Sequence, residues 1–371
     1  MKKLGRIGIA VVLGVALVIP NAILANSASA ADVIATAKKY VADSLSAKAG
    51  FTPPAQGAKA QKLDKATIAF VASDLSNGGI TGVLAGVKEA AAHLGWTVKV
   101  YDGQATPSGR TSAMNAAIAD KVDALILGGT DATEQAAQVV AANTAGIPTF
   151  GWHSGPKPGP SLGMKTNVTT DPLVVSRTAA SYAIAHSGTT KFGAVIFTDS
   201  QYQVAIAKSN AIAVELKKDK YATVLEIKDT PISSTSQLMP AIISSMLQKY
   251  GKKFTYFFGI NGAYANGAAP ALQSAGIKAT GQPWAIAAGD GDSAELNRIR
   301  TNKYQLATVA EPLYLQGWQL IDAINSTFGK VTIASWVAAP GLIDKSNVPK
   351  GDIFDPNSGY RSIYLKVWGV S

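Results

Sequence analysis

Residues 67–102 read TIAFVASDLSNGGITGVLAGVKEAAAHLGWTVKVYD and contain two apolar runs, at residues 67–73 and 97–101. Between them lie a polar loop with two glycines, residues 74–79, and a long segment whose apolar residues recur at helical spacing. The pattern predicts one strand-helix-strand unit. Because the strands are mainly apolar, we expect a parallel sheet that is covered on both faces. Ligands of such sheets bind beyond the carboxyl ends of the strands, which is where residues 74–79 would lie.

The rest of the chain repeats this alternation. Before residue 170, it predicts strands near residues 124–127 and 149–152 and helices near residues 109–119 and 132–145. A second series predicts strands near residues 192–197, 223–228, 256–259, 285–288 and 306–310 and helices near residues 172–185, 204–216, 237–250, 263–275 and 293–300. We expect Thr130 and Asp131 to cap the helix at 132–145 and Gly146 to end it. The two series predict an α/β protein with two similar, doubly wound parallel-sheet lobes.

Length and composition agree with two lobes and exclude several kinds of site. A chain of 371 residues of which 47% are hydrophobic can form two cores. The absence of cysteine excludes disulfides, thiolate metal sites and cysteine nucleophiles. The formal net charge is +10, but no run of Lys and Arg is interleaved with aromatic residues, so nucleic-acid binding is not predicted.

The first 30 residues have the pattern of a secretory signal peptide. Lys2, Lys3 and Arg6 precede an apolar run at residues 7–19, and small residues at 28–30 suit a cleavage site. The run is shorter than the roughly 20 residues that span a bilayer, so a membrane anchor is the less favoured alternative. A lipid anchor needs a cysteine, and we therefore expect a protein free in the periplasm. Residues 31–65 predict a short helix and a tether.

Polar residues follow the predicted strands in both halves of the chain. In the first half these residues are Asn77, Trp152, His153 and Ser154, and in the second half they are Asn261, Asp290 and Glu311. Amide and carboxylate groups donate and accept the hydrogen bonds that sugar or polyol hydroxyls need. The sequence therefore predicts a binding cleft between the lobes. The turn at residues 289–292 lacks the ligand spacing of a calcium loop, so no metal is expected.

These segments resemble the type I periplasmic solute-binding proteins of ABC importers, in the ribose- and sugar-binding group. The loop ending in Asn77 is similar to the first loop of that family, residues 257–267 to its strand followed by Asn, residues 287–292 to its Gly-X-Asp-Gly turn and residues 306–312 to its Ala-Thr-X-Ala-Gln segment. The resemblance covers about residues 67–337. It implies that Asn77, Asn261 and Asp290 contact the ligand and that Lys208 stands where the family has an arginine.

The chain departs from the family pattern at three places. Gly78 and Gly79 replace two aromatic residues, His153 and Ser154 replace Asp-Arg, and Glu311 replaces Gln. Two stacking surfaces and one guanidinium are therefore missing. Trp152 could supply a stacking surface or could belong to the core. Because Lys208 is the only obvious cation, a sugar acid is as credible a ligand as a neutral sugar or polyol.

The resemblance implies a periplasmic substrate-binding component of an ABC importer. We expect it to capture a small polar solute by closing its lobes and to deliver it to a permease in the inner membrane, as a monomer without a cofactor. The lobes would comprise residues 66–167 plus 312–339 and residues 168–311 plus 340–371, joined by three crossings. A periplasmic receptor for chemotaxis or signalling, or a receptor for an aromatic acid, stays open as an alternative.

An enzyme is not expected. The chain has three histidines, His93, His153 and His186, and no Gly-X-Ser-X-Gly motif that would place a serine nucleophile before a helix. It also has no phosphate-binding loop of the Gly-Lys-Ser/Thr type.

Overall fold

The computed structural model describes residues 30–46, 58–61 and 65–370. Residues 1–29 of the signal peptide predicted at residues 1–30, and most of the tether, lie outside these ranges. Within them, no helix combines the length and the apolar character that crossing a membrane requires.

The first lobe is built on a six-stranded sheet of order β2-β1-β3-β4-β6-β5, in which only the short edge strand β5 runs antiparallel to its neighbour. After helix α1 (Ala30–Ser46), the chain forms β1 (Thr67–Ala72), α2 (Gly78–His93), β2 (Thr97–Asp102), α3 (Pro107–Ala119), β3 (Ala124–Gly128), α4 (Ala136–Thr144), β4 (Thr149–Trp152), β5 (Gly159–Ser161) and β6 (Met164–Val168).

The second lobe has a six-stranded sheet of order β12-β11-β10-β9-β7-β8, in which β12 alone is antiparallel. From residue 172 onward the chain forms α5 (Pro172–Ser187), β7 (Phe192–Thr198), α6 (Gln203–Leu216), β8 (Ala222–Asp229), α7 (Thr235–Tyr250), β9 (Phe254–Gly259), α8 (Ala263–Ser274), β10 (Trp284–Ala287), α9 (Ser293–Arg300), β11 (Gln305–Ala310), α10 (Leu313–Phe328), β12 (Gly341–Asp344) and α11 (Tyr360–Trp368). Of these, α10 and α11 lie on the first lobe.

The predicted fold class is confirmed, and each predicted strand and helix is present within a few residues of its expected bounds. Helix α4 differs most. It begins at Ala136 after a series of turns, and its N-cap, Gln135, makes no side-chain cap bond. The prediction that Thr130 and Asp131 cap this helix is wrong, since Asp131 binds the N–H of Thr133 and that of a residue in the other lobe. Gly146 ends the helix region in the left-handed conformation, with φ of 80°.

The chain returns to the first lobe through α10, which packs closely on α2. A Cβ added at Gly86 would lie 2.6 Å from the carbonyl oxygen of Tyr314, and one at Gly317 would lie 2.5 Å from the backbone of Gly86. These two glycines therefore permit the approach of the helices. The chain crosses between the lobes after β6, after β11 and before β12, and it crosses once more between β12 and α11.

The sequence predicts that residues 340–371 belong to the second lobe, but helix α11 packs on the first lobe. Its Trp368 ring stacks on Trp318 of α10 at 5.4 Å, and its Nε1 donates to Asp322. Strand β12 does pair with β11 of the second sheet. The boundary of the second lobe therefore falls after β12, because the buried aromatic side chains of α11 complete the first core.

The predicted N-terminal helix is present as α1 and packs on the second lobe, where Ile34, Ala37 and Val41 join its core. Residues 58–61 lie on the first lobe instead. There, the N–H of Gln61 donates to Asn325 Oδ1 at 3.0 Å. The extension therefore contacts both lobes.

Candidate functional site

A cavity of about 60 Å³ lies between the lobes, beyond the carboxyl ends of the strands of both sheets. We call it the inner cavity. Its lining includes these residues of the predicted set: Asn77, Trp152, His153, Lys208, Asn261 and Asp290. Ser154 and Glu311 do not line it. An outer compartment of about 520 Å³ adjoins the inner cavity and shares with it Asp74, Asn77, Ile232, Ser233, Asn261 and Asp290.

Two asparagines, one from each lobe, are held by the helices that they precede. Asn77 Oδ1 accepts from the N–H groups of Gly79 and Ile80 at 2.9 and 3.1 Å and so caps α2. Asn261 Oδ1 accepts from the N–H of Ala263 at 3.1 Å, at the start of α8. With each oxygen bound by its own helix, the amide NH₂ group is the part of each side chain that can donate to a solute.

Gly78 and Gly79 are required by the approach of the opposite lobe. A Cβ on Gly79 would lie 2.5 Å from Asp290 Oδ2, and one on Gly78 would lie 2.8 Å from Asp292 Oδ2. Side chains at these two positions would therefore collide with the turn after β10. Two acidic residues instead face the amino-terminal end of α2, where the helix dipole favours negative charge.

Glu311 is buried behind the cavity and organises the residues that line it. Its carboxylate contacts His153 Nε2 at 2.9 Å, Gln316 Nε2 at 2.9 Å and Lys208 Nζ at 3.3 Å. Burial alone would raise the pKa of the Glu311 carboxyl, but His153, Lys208 and these hydrogen bonds hold that pKa below its usual range. The prediction that Glu311 lines the site is therefore corrected: it positions His153 and Lys208.

Lys208 is not a free cation. Its side chain is about 4% exposed, and its ammonium group is ion-paired with the fully buried carboxylate of Glu311. The sequence predicts Lys208 as the cation for an acidic ligand, but its ammonium group is already paired with Glu311. Buried Arg110 is a second cation close to the cleft, and it is paired with Glu134 through two nitrogens at 2.8 and 2.9 Å.

Asp290 is the least satisfied polar group of the site. It is 5% exposed, with a left-handed φ of 45°, and lines both compartments. No residue in the part of the chain that the structure describes donates a hydrogen bond to its carboxylate. Burial raises the pKa of this carboxyl to about 6, against the opposite influence of Lys208 and His153. A hydroxyl donor from a solute would satisfy it.

His153, Asp290 and Glu311 each place one potential metal-binding atom within 4.8 Å of the others. Two of these residues are already bound to each other, since His153 Nε2 contacts Glu311, and Lys208 contacts the same carboxylate. The cation of this cluster is therefore the lysine ammonium.

The residues that end β4 serve different purposes. The Trp152 ring stacks on His153 at 4.0 Å, and its Nε1 donates to Gln316 at 2.8 Å, so His153 covers one ring face. Ser154 is fully buried, and its Oγ donates to the carbonyl oxygen of Leu127. The sequence predicts that Ser154 lines the site, but its hydroxyl instead makes a hydrogen bond within the first lobe.

Sequence reasoning missed the residues that join the lobes over the cavity. Tyr202 OH lies 2.9 Å from Ser73 Oγ and 3.4 Å from Arg110 Nη1. Nearby, the N–H of Gln203 donates to Asp131 Oδ2 at 3.0 Å. The signal that identified Asn261, a polar residue just past an apolar strand, also applies to Ser73 after β1 and to residues 199–203 after β7.

Two similar α/β lobes, repeated crossings of the chain between them and a polar cavity where they meet define a two-lobed binding protein of the type I periplasmic class. The sequence matches the family model described as periplasmic binding protein domain over residues 68–328. The chain belongs to this family.

Solved structures of the same fold share few identical residues with the chain. An ABC transporter solute-binding protein from Agrobacterium vitis, bound with α-D-tagatopyranose, has a TM-score of 0.69 at 18% identity and covers 78% of this chain and 98% of its own. A sugar ABC transporter protein from Yersinia enterocolitica has a TM-score of 0.68 at 19% identity, over 82% and 95%. A second A. vitis solute-binding protein, with bound allitol, has a TM-score of 0.67 at 19% identity, over 77% and 98%. No curated protein sequence matches the chain.

Proposed function

We propose that the chain is the substrate-binding component of an ABC importer, acting as a monomer in the periplasm after removal of a signal peptide. The observation that carries this proposal is the unsatisfied Asp290 carboxylate in a cavity that both lobes line. Together with the amide donors of Asn77 and Asn261, it matches the donors and acceptors of a polyhydroxylated solute. The tagatose and allitol bound by similar proteins support this class of ligand.

The ion pair of Lys208 favours a neutral solute over a sugar acid. A carboxylate ligand would enter a site whose lining already includes Asp74 and Asp290, while its cation is bound to Glu311. Drawing Lys208 away would leave the Glu311 carboxylate buried with less compensation, which is costly. A neutral sugar or polyol is therefore favoured over the sugar acid, which the sequence left equally credible.

Closure of the lobes completes the site. The contacts of Tyr202 with Ser73 and of Gln203 with Asp131 join the lobes, and the crossings between them supply the hinge. A solute that bridges Asn77 and Asp290 would bind the closed form more tightly than the open form and so shift the population toward closure. The closed form would then dock on the permease.

We propose binding without catalysis. The histidine of the cavity is bonded to Glu311, and Ser154 beside it is bonded to a backbone carbonyl, so neither is arranged as a nucleophile and its base.

The test is a calorimetric and thermal-shift screen of sugars and polyols, with matched sugar acids. A ligand at about 100 times its Kd stabilises the folded protein by about 2.7 kcal/mol, which such a screen detects. We expect neutral hits, and we expect Asp290→Asn to weaken them while Asp352→Asn, at an exposed position outside both compartments, does not. Hits that are unaffected by Asp290→Asn would reject the site, and exclusive binding of acids would reject the neutral class.

A further inference from the structure

The inner cavity is small for a sugar ring. Its volume of about 60 Å³ compares with about 150 Å³ for an engineered cavity that holds benzene. The lobes already touch on either side of it, through Tyr202 and Ser73 and through Gly79 and Asp290. With the lobes in this arrangement, the inner cavity holds one hydroxylated end of a molecule rather than a complete ring.

The outer compartment has the volume that the inner cavity lacks. Its 520 Å³ falls within the range of about 300–1,000 Å³ found for small-molecule sites. Both lobes line it, with residues 74–78 from the first and the start of α7 and residues 261–270 from the second. It therefore stays open while the lobes are in contact, and Asp290 faces both spaces.

The lining of the outer compartment suits hydroxyl groups. It offers the hydroxyls of Ser76, Ser233 and Ser236, the amide of Asn266 and the carboxylates of Asp74, Asp290 and Asp292, and none of the described residues that line it is basic or aromatic. Such a surface accepts hydrogen bonds from hydroxyl groups spread along a molecule, and it offers neither a ring for stacking nor a cation for an acidic ligand.

We propose that the ligand is a neutral polyhydroxylated molecule longer than one sugar ring, such as a disaccharide. One hydroxylated edge of the first unit enters the inner cavity between Asn77 and Asp290, and the rest of the molecule lies in the outer compartment against α7. This proposal rests on the proposed function, because it specifies the ligand of the same cleft.

Ser236→Trp tests the outer compartment, since it places a large side chain there from an exposed position in the first turn of α7. Ser245→Trp is the matched control: the same change at an exposed position of the same helix, outside both compartments. The probes are D-glucose, D-galactose, D-xylose and D-ribose, and neutral disaccharides composed of them, titrated into the mature protein by calorimetry.

We expect a disaccharide to bind at least about fivefold more tightly than its component monosaccharides, because the outer compartment adds at least two hydrogen bonds. Ser236→Trp should remove that advantage, and Ser245→Trp should leave it unchanged. Monosaccharides that bind as tightly as any disaccharide, or a disaccharide whose affinity survives Ser236→Trp, would overturn the proposal while the importer function stands. Binding of no sugar or polyol in either this series or the first screen would reject both.

Discussion

Asp131 of the first lobe binds the amino-terminal end of helix α6 in the second lobe. Helix α6 has no cap from the side chain of its own N-cap residue, Tyr202. Instead, Asp131 Oδ2 accepts from the N–H of Gln203 at 3.0 Å, while Asp131 Oδ1 accepts from Thr133 within the first lobe. This helix end is therefore capped by a carboxylate only when the lobes meet.

The size of the effect follows from the geometry. Removing a helix cap costs about 1 kcal/mol, and the bond to Gln203 exists only in the closed form. The bond to Thr133 lies within one lobe, and its loss affects open and closed forms alike. Asp131→Ala should therefore lower the closing equilibrium about fivefold and raise the apparent Kd of the solute by up to that factor. Most of the change should be in the dissociation rate.

Asp171→Ala is the matched control for Asp131→Ala. Asp171 caps α5 by accepting from the N–H of Leu173 at 2.8 Å, within the second lobe. Both variants should lower Tm by a few degrees, about 2–4 °C for domains of this size. Calorimetry with the best ligand from the screen, and small-angle scattering with and without it, should show weaker binding and closure for Asp131→Ala alone. Equal affinities for the two variants would refute the role of Asp131 in closure.

Three further predictions concern the walls of the cleft. Gly79→Ala places a Cβ 2.5 Å from Asp290 Oδ2 and should weaken solute binding at least about tenfold by calorimetry. It should not lower Tm, because Ala favours the helix. Gly351→Ala, whose Cβ meets open space, is the control and should bind the solute normally. Lys208→Met leaves Glu311 buried without its ammonium partner and should lower the free energy of unfolding in urea by about 3–5 kcal/mol. Recovery of that stability on adding Glu311→Gln would agree with this pairing, and an unchanged stability of the single variant would contradict it. The pKa of Asp290 is about 6 in the contacting lobes and should be near 3.9 when the cleft opens to water, so closing takes up a proton. Lowering the pH from 7 to 5 should then favour closure of the unliganded protein about tenfold. A radius of gyration that is insensitive to pH, or equally sensitive in Asp290→Asn, would count against this coupling of protonation to closure.

Most of the fold could be predicted because it depends on local pattern. Apolar strands such as β1 and β3, separated by helices that end at residues such as Gly146, leave few alternatives to parallel sheets. The place of α11 could not be predicted in this way. Its position depends on the stacking of Trp368 on Trp318, fifty residues earlier in the chain, and no periodicity in the sequence reports which core a terminal aromatic helix completes.

The site was predictable to the extent that it follows from topology. Asn77, Asn261 and Asp290 each come just after a strand, and parallel strands deliver such residues to one edge. How deeply each of these side chains is buried, and which partner it binds, depends on tertiary packing instead. Glu311 also follows a strand, yet it is fully buried and bonded to His153, so the rule that found it could not separate a lining residue from a supporting one.

The three departures from the sugar-binding pattern are connected in the structure. Without aromatic side chains at 78 and 79, the turn carrying Asp290 and Asp292 reaches the start of α2, and the lobes meet through backbone and carboxylate groups. With Glu311 in place of Gln, the cleft holds a further negative charge, which His153 and Lys208 offset. A single change back toward the family pattern should therefore not restore a ring-stacking surface, because an aromatic side chain at position 79 would overlap Asp290. Under the proposal above, the contact between the walls leaves the outer compartment as the space for the greater part of the ligand.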